Sequence, residues 1–304
     1  MIGWKKTPTI FKLKKILLTG ASGLFGINFY LQNKKFKIIP IINKKKINLK
    51  NFIKLDLLNK KKLKIIISNL KPDIILHAAA LTNIEKCEED KKLAKQLNIQ
   101  TTKNLVEVAK TLKCKMVFIS TDHLFRKKKL FFTESDATNP LNYYAMTKKT
   151  SEDIITDNLK NYLILRTNFF GIGPKYRKSF SDKIVEKLKK NKKLYLFNDV
   201  YFSPININFL CKIINKLILK NIRGVFNVSS NQNLSKYEFG LLICEKLNFD
   251  KNLIKPIKLN DKKITKRPNF MSLSNKKLIK TLKIPLKELS ISKQIIELKK
   301  INIK

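Results

Sequence analysis

Cysteine is scarce: Cys87, Cys114, Cys211 and Cys244 stand far apart and form no C-x-x-C pair. That argues against both a zinc site and a disulfide framework, and no metal is expected. No run of about 18 apolar residues occurs, which excludes a transmembrane helix. The opening stretch, MIGWKKTPTIFKLKK, is basic but has no uninterrupted apolar segment and no small-residue cleavage site, so secretion is not expected. Internal repeats and low-complexity linkers are absent too. Acid is short, with 22 Asp plus Glu against 65 Lys plus Arg, for a net charge of +43. Arginine is rarer still: Arg126, Arg166, Arg177, Arg223 and Arg267 are the full set, so lysine carries nearly all the positive charge.

Proteins that read phosphates and bases rely on the bidentate arginine fork. Its shortage here, with no recognisable binding motif, argues against a nucleic-acid partner. The lysines are spread along the whole chain beside abundant Asn and Ile, the bias that an AT-rich genome imposes through its codons. The competing reading, a polyanion-binding surface, requires binding that weakens steeply with salt. In either case the field attracts anionic ligands such as nucleotides. With 43% hydrophobic residues over 304 positions, the chain has enough apolar material for one large domain or a domain with a smaller partner. A cytoplasmic globular protein without a membrane partner is the expectation.

Apolar runs and helical patterns alternate from the start. Strands are predicted at Lys15–Thr19, Phe36–Ile42, Ile53–Asp56, Asp73–His77, Lys115–Ser120 and Tyr162–Thr167. Helices are predicted from the glycine-rich turn to about Gln32, over Asn59–Leu70, from Glu89 to Leu112 as one long helix, and over Tyr144–Leu159. Strands separated by helices imply an α/β fold, a doubly wound parallel sheet. Beyond residue 170 the pattern loosens, with helices at Phe180–Lys190, Ile207–Lys220, Lys236–Leu247 and Leu286–Lys300 and a strand at Gly224–Val228. Such material usually packs over the carboxyl ends of the sheet. The expected division is residues 14–170 for a dinucleotide-binding domain and 171–304 mainly for a smaller, interleaved substrate lobe.

Gly20, Gly23 and Gly26 form a G-x-x-G-x-x-G directly after a strand and opening a helix. In that context Gly20 serves the tight turn, Gly23 the approach of a pyrophosphate, and Gly26 close helix–strand packing. Asn43 ends the second strand, where an acid would hold a ribose 2′-hydroxyl, and Lys44, Lys45 and Lys46 follow it. The absence of an acid favours NADPH, with NADH as the alternative. Tyr144 and Lys148, at i and i+4, share a helix face. An ammonium there would lower the phenol pKa and make it an acid–base catalyst, whereas the plain alternative is a solvated helix face. Thr121, with Ser120 and Asp122 at the end of a strand, is placed to donate to a ligand carbonyl. Its alternative is a helix cap or turn.

Together and in this order, these motifs resemble the extended short-chain dehydrogenase/reductases, which carry a Rossmann-type sheet. HAAALTNIEKCEED (residues 77–90), Leu97-Asn98, STDHLF (120–125), TESDATNPLNYYAMTK (133–148), LRTNFFG (165–171), GVFNVSS (224–230) and KRPNFMSLSNKKL (266–278) narrow this further. They are similar to the dTDP-4-dehydrorhamnose reductase family over roughly residues 14–300, the first dozen residues lying ahead of it. The resemblance implies that Gly23, Leu24 and Phe25 lie along the cofactor pyrophosphate. It also sets Asp56 and Leu57 beside the adenine and Ala78, Ala79 and Ala80 along the nicotinamide-side ribose. Tyr144 and Lys148 would then bind cofactor as well as serve catalysis, with Thr121 and Asp122 on the sugar substrate. Phe169 stands where the family often has tryptophan, Asn43 where many members have Asp, and His123 where Tyr is usual; no role follows for His123.

The implied activity is NAD(P)H-dependent reduction of a nucleotide-linked 4-keto-6-deoxy sugar, with Thr121 and Tyr144 donating to the carbonyl oxygen. A dehydratase is disfavoured, because His123 occupies the position after Asp122 where that activity needs Glu. A nucleotide-sugar epimerase of the same superfamily would retain its nicotinamide tightly. A non-catalytic, NADP-binding regulatory subunit is a further alternative, against which the intact Thr121, Tyr144 and Lys148 speak. A homodimer is compatible with the sequence, which leaves oligomeric state open.

Overall fold

The computed structural model describes residues 13–43 and 51–300. In chain order, β1 (Lys15–Thr19), α1 (Leu24–Gln32), β2 (Lys37–Ile42), β3 (Ile53–Lys54), α2 (Lys60–Leu70) and β4 (Ile74–His77) come first. There follow α3 (Ile84–Glu89), α4 (Lys91–Ala94), a π-helical turn (Lys95–Gln100), α5 (Thr101–Leu112), β5 (Lys115–Ile119), α6 (Tyr143–Asn158), β6 (Tyr162–Thr167) and β7 (Phe169–Phe170). The remainder comprises α7 (Phe180–Lys189), β8 (Leu194–Phe197), β9 (Tyr201–Phe202), β10 (Ile205–Asn206), α8 (Ile207–Leu219), β11 (Gly224–Val228) and β12 (Leu234–Ser235). After these come α9 (Lys236–Leu247), β13 (Ile254–Ile257), α10 (Lys276–Leu282) and α11 (Ile291–Ile295).

The main sheet has seven parallel strands in the order β11-β6-β5-β4-β1-β2-β3. Its central strands are apolar on both faces, and the two-residue period sorts them cleanly. Ile16 and Leu18, Ile74 and Leu76, Val117 and Ile119, Leu163 and Leu165 enter one buried cluster, with α1, α8 and α10. Leu17, Ile75, Met116, Phe118 and Ile164 enter the other, with α2, α5 and α6. The expected doubly wound α/β architecture is therefore the one observed. After β3 the chain crosses back to place β4 on the far side of β1, and that reversal opens a crevice at the strand carboxyl ends.

A third apolar cluster joins α7, β8, β9, α9, β13 and α11 over that end of the sheet. The later chain also returns to the sheet: β11 pairs with β6 along five residues, and α8 packs on α1. Two predicted helices differ. Glu89–Leu112 is α4 and α5 separated by the π-helical turn, after a distinct α3. Leu286–Lys300 is broken into 3-10 turns around α11, so that Leu289, Ile291, Ile295 and Leu298 are all buried. Among the described residues no helix is long and apolar enough to cross a membrane.

Candidate active site

The Thr19 hydroxyl at the end of β1 is tied down by three partners. Thr19 Oγ1 donates to His77 Nδ1 at 2.7 Å and accepts from the amides of Ala78 and Ala79 at 3.3 and 3.4 Å. His77 is pushed down to about 3 by burial and secondarily by Lys148, so it is neutral; its Nε2 then donates to Thr102 Oγ1 at 3.1 Å. The glycine turn follows directly. Gly20 has φ +69°, and a Cβ there would lie 2.6 Å from the Ala79 amide nitrogen. A Cβ on Gly26 would lie 2.2 Å from the Gly20 carbonyl, so this glycine packs α1 onto the turn itself, rather than onto the strand. Gly23 has ordinary φ and caps α1, whose first turn carries no acid, leaving its amides facing the crevice. These glycines form a cradle that fits a dinucleotide diphosphate.

The crevice encloses about 760 Å³. Gly20, Gly23, Leu24, Phe25, Gly26, Asn43, Leu57, Ala78, Ala79 and Ala80 line it, as do Thr121, Asp122, Tyr144, Lys148 and Phe169. Asp56 does not. It is exposed, and its carboxylate accepts from the Leu58 amide at 3.0 Å to turn the chain into α2, so Leu55 lines the wall beside Leu57 instead. The Lys44–Lys46 run lies outside the described residues.

Asn142 caps α6, its side chain accepting from the Ala145 amide at 2.9 Å, and so starts the helix that carries Tyr144 and Lys148. The Thr121 hydroxyl neighbours the Tyr144 phenol, and it accepts from the His123 amide at 3.3 Å. Asp122 is buried, accepting from Asn168 Nδ2 at 2.8 Å. The expected lowering of the phenol pKa is not found. Burial pushes Tyr144 well above its usual value, with Asp122 adding to the rise and Thr121 opposing it. Lys148 does not offset this, because its Nζ donates to the Ile119 carbonyl at 2.6 Å and lies 3.8 Å from the centre of the Phe118 ring. Burial pushes this lysine down to about 7, against Glu152. Glu152 itself is locked by Arg166 at 2.8 Å and accepts from Ser120, which fixes the end of β5 from below.

Asn98, Asn168 and Arg267 lie in the family-like segments, but no site role had been read for them. Asn98, on the π-helical turn, accepts from the Leu81 amide at 2.7 Å and donates to Thr147 at 2.9 Å, joining the Ala78–Ala80 segment to α6. Asn168 directly follows β6, the same strand-end position that singled out Thr121. Beside the crevice, a second cavity of about 320 Å³ is lined by His123, Lys236, Arg267 and apolar residues including Phe180 and Met271. Burial pushes Lys236 down to about 7; its Nζ sits 3.1 Å from the centre of the Phe202 ring. Arg267 pairs with Glu85, and His123 meets Tyr144 edge-on with ring centres 6.1 Å apart.

The arrangement offers a glycine turn shaped for a phosphate and a cleft lined by two neighbouring hydroxyls, Thr121 buried and Tyr144 half-buried. The sequence model of the RmlD substrate binding domain matches residues 14–296. The rat methionine adenosyltransferase 2 subunit beta is 26% identical over 262 residues, covering 80% of this chain and 75% of that protein. The Salmonella typhimurium dTDP-4-dehydrorhamnose reductase is 32% identical over 145 residues, 47% of this chain and 48% of that one. Among solved structures, a Bacillus anthracis dTDP-4-dehydrorhamnose reductase in complex with NADP superposes with a TM-score of 0.82 at 24% identity, covering 93% of this chain and 97% of that one.

Proposed function

The chain belongs to the RmlD substrate binding domain family, and from that premise we propose that it is an NADPH-dependent reductase of a nucleotide-linked 4-keto-6-deoxy sugar, dTDP-4-dehydrorhamnose reductase-like, with NADH as the alternative cofactor. The observation that carries this reading is that Thr121 and Tyr144, two neighbouring hydroxyls, line the same cleft as the diphosphate cradle. Residues 14–170 form the dinucleotide side and 171–304 mainly the substrate side. The setting is cytoplasmic.

Gly20, Gly23, Leu24, Phe25 and Gly26 hold the diphosphate, Asn43 and Leu57 the adenosine side, and Ala78–Ala80 with Lys148 the nicotinamide side. When bound, the cofactor supplies a hydride to the carbonyl carbon. Thr121 and Tyr144 donate to the oxygen where negative charge develops, and Tyr144 delivers its proton there. A phenol held protonated by burial suits this direction, because it keeps its proton across the physiological range until the oxygen of the carbonyl takes up charge. Asp122, fixed by Asn168, is an acceptor for a sugar hydroxyl, and Phe169 supplies an apolar wall.

The test mixes the protein with dTDP-4-keto-6-deoxy-L-lyxo-hexose and NADPH or NADH and follows loss of reduced-nicotinamide absorbance. Turnover that Tyr144→Phe abolishes supports the reading. A second reading, a binding subunit that keeps the fold without turnover, is favoured by the likeness to the methionine adenosyltransferase subunit over 80% of this chain. It requires NADPH binding with no consumption of any 4-keto sugar, together with co-purification with a methionine adenosyltransferase catalytic chain.

A further inference from the structure

We propose that Arg177 clamps the cofactor diphosphate from above, carried by a preformed strap, residues 171–180, that the chain lays across the cleft mouth. The inference rests on the dinucleotide reading and adds to it a residue from outside the glycine turn.

The strap is built before any ligand arrives. It leaves β7 at Gly171, whose φ is +143°, and a Cβ there would meet Ile207 at 2.5 Å. Asp182, in the first turn of α7, accepts from the amides of Gly173 and Ser179 at 2.8 and 2.7 Å. Ser179 Oγ donates to the Gly171 carbonyl at 2.6 Å, and the Arg177 amide donates to Pro174 at 2.8 Å. Both ends and the turn between them are therefore fixed by internal bonds.

The tip spans the cleft. On one wall the Tyr176 hydroxyl donates to the Ser22 carbonyl at 3.2 Å, and Asn28 of α1 donates to the Ile172 carbonyl at 3.0 Å. On the other, Arg177 Nη2 donates to Thr82 Oγ1 at 3.3 Å, just past Ala78–Ala80. Arg177 Nη1 lies 3.9 Å from where a Gly23 Cβ would sit. Among the described residues no carboxylate pairs with Arg177, whereas its neighbour Lys178 is taken by Glu186. An unpaired guanidinium thus stands over the acid-free first turn of α1, two positive features facing one gap. A diphosphate satisfies both, and the planar fork suits two phosphate oxygens at once. Thr82, a neutral partner at long range, is the contact that Arg177 exchanges for it.

Titrating NADPH, NADH and ADP-ribose into wild type, Arg177→Gln and Thr82→Val by calorimetry tests this. Arg177→Gln is expected to raise all three dissociation constants by about tenfold or more, and by similar factors, since each ligand contains the diphosphate. Adenosine 2′-monophosphate, which lacks it, should bind both proteins alike. Thr82→Val should bind at least as tightly as wild type. Arg177→Gln matching wild type overturns the clamp and leaves the cofactor reading intact. A loss confined to NADPH would overturn it by moving Arg177 to the 2′-phosphate. An equal loss in Thr82→Val would overturn it by making the strap a mere wall. Failure of wild type to bind either dinucleotide removes the cofactor reading and the clamp together.

Discussion

Thr19 has no solvent exposure and its hydroxyl serves three partners, so it fixes the glycine turn against the Ala78–Ala80 segment. Thr19→Val keeps the shape but leaves His77 Nδ1 without a donor and two amides without an acceptor. The expected loss is about 1–3 kcal/mol, read from the midpoint of chemical denaturation; Thr19→Ser should recover most of it, and a neutral Thr19→Val would show the hydroxyl to be dispensable. Lys148 gives a prediction with a definite sign. Its folded pKa is pushed down from 10.5 to about 7, so between those values the unfolded chain binds the extra proton. Stability contributed by this group therefore rises with pH across that window and is lowest below it. Against Lys148→Met, wild type should gain ground as pH goes from about 7 to about 10. A gap moving the other way would mean that the buried ammonium is stabilised by the fold. Neither effect was legible beforehand: the i, i+4 spacing of Tyr144 and Lys148 shows a shared face, but not that Lys148 turns away to the Ile119 carbonyl.

At the start of α1, the capping Gly23 and the helical Gly26 of one motif do different jobs, and substitution separates them. Gly26→Ala sets a methyl 2.2 Å from the Gly20 carbonyl and 2.7 Å from Ala21 Cα, both backbone, so the helix must move off the turn. A loss of about 1–3 kcal/mol is expected, with weaker NADPH binding as its consequence. Gly23→Ala meets the Gly20 carbonyl at 3.1 Å and the movable Arg177 Nη1 at 3.9 Å, and is expected to fold nearly as well while its methyl narrows the diphosphate cradle. Melting temperature and NADPH affinity measured on both variants check this, and a Gly26→Ala protein as stable as wild type would sink it. The motif was readable because it sits between a five-residue apolar strand and a helix. Other elements were not. The pattern from Glu89 to Leu112 contains no glycine or proline to signal a break; the π-helical turn coincides with Asn98 bonding to Leu81 and Thr147, partners distant in sequence. β7, β9, β10 and β12 are each two residues long, too short for any periodicity. Arg177 reaches the cleft, and Lys236 the second cavity beside it, through tertiary packing alone, which a chain full of lysine conceals.

At the scale of the whole molecule, the charge imbalance decides how salt acts. Even if every acid were paired, 22 carboxylates could match only a third of the 65 cations. Most ion pairs among the described residues are exposed, such as Lys60–Glu107, and contribute little each. Repulsion among the unmatched lysines outweighs these pairs, and it is relieved on unfolding as the chain expands. Raising sodium chloride from about 20 to about 300 mM shortens the screening length from about 20 Å to about 6 Å. The melting temperature of the ligand-free protein should therefore rise, by about 2–4 °C for each kcal/mol of repulsion removed. The same screening weakens attraction of an anionic dinucleotide, so NADPH affinity should fall over the same range. The two responses must have opposite signs if the surface charge is unpaired and the cleft draws on its field. A melting temperature that falls with salt would show instead that the few surface pairs outweigh the repulsion, and that the lysines are better matched than their number implies.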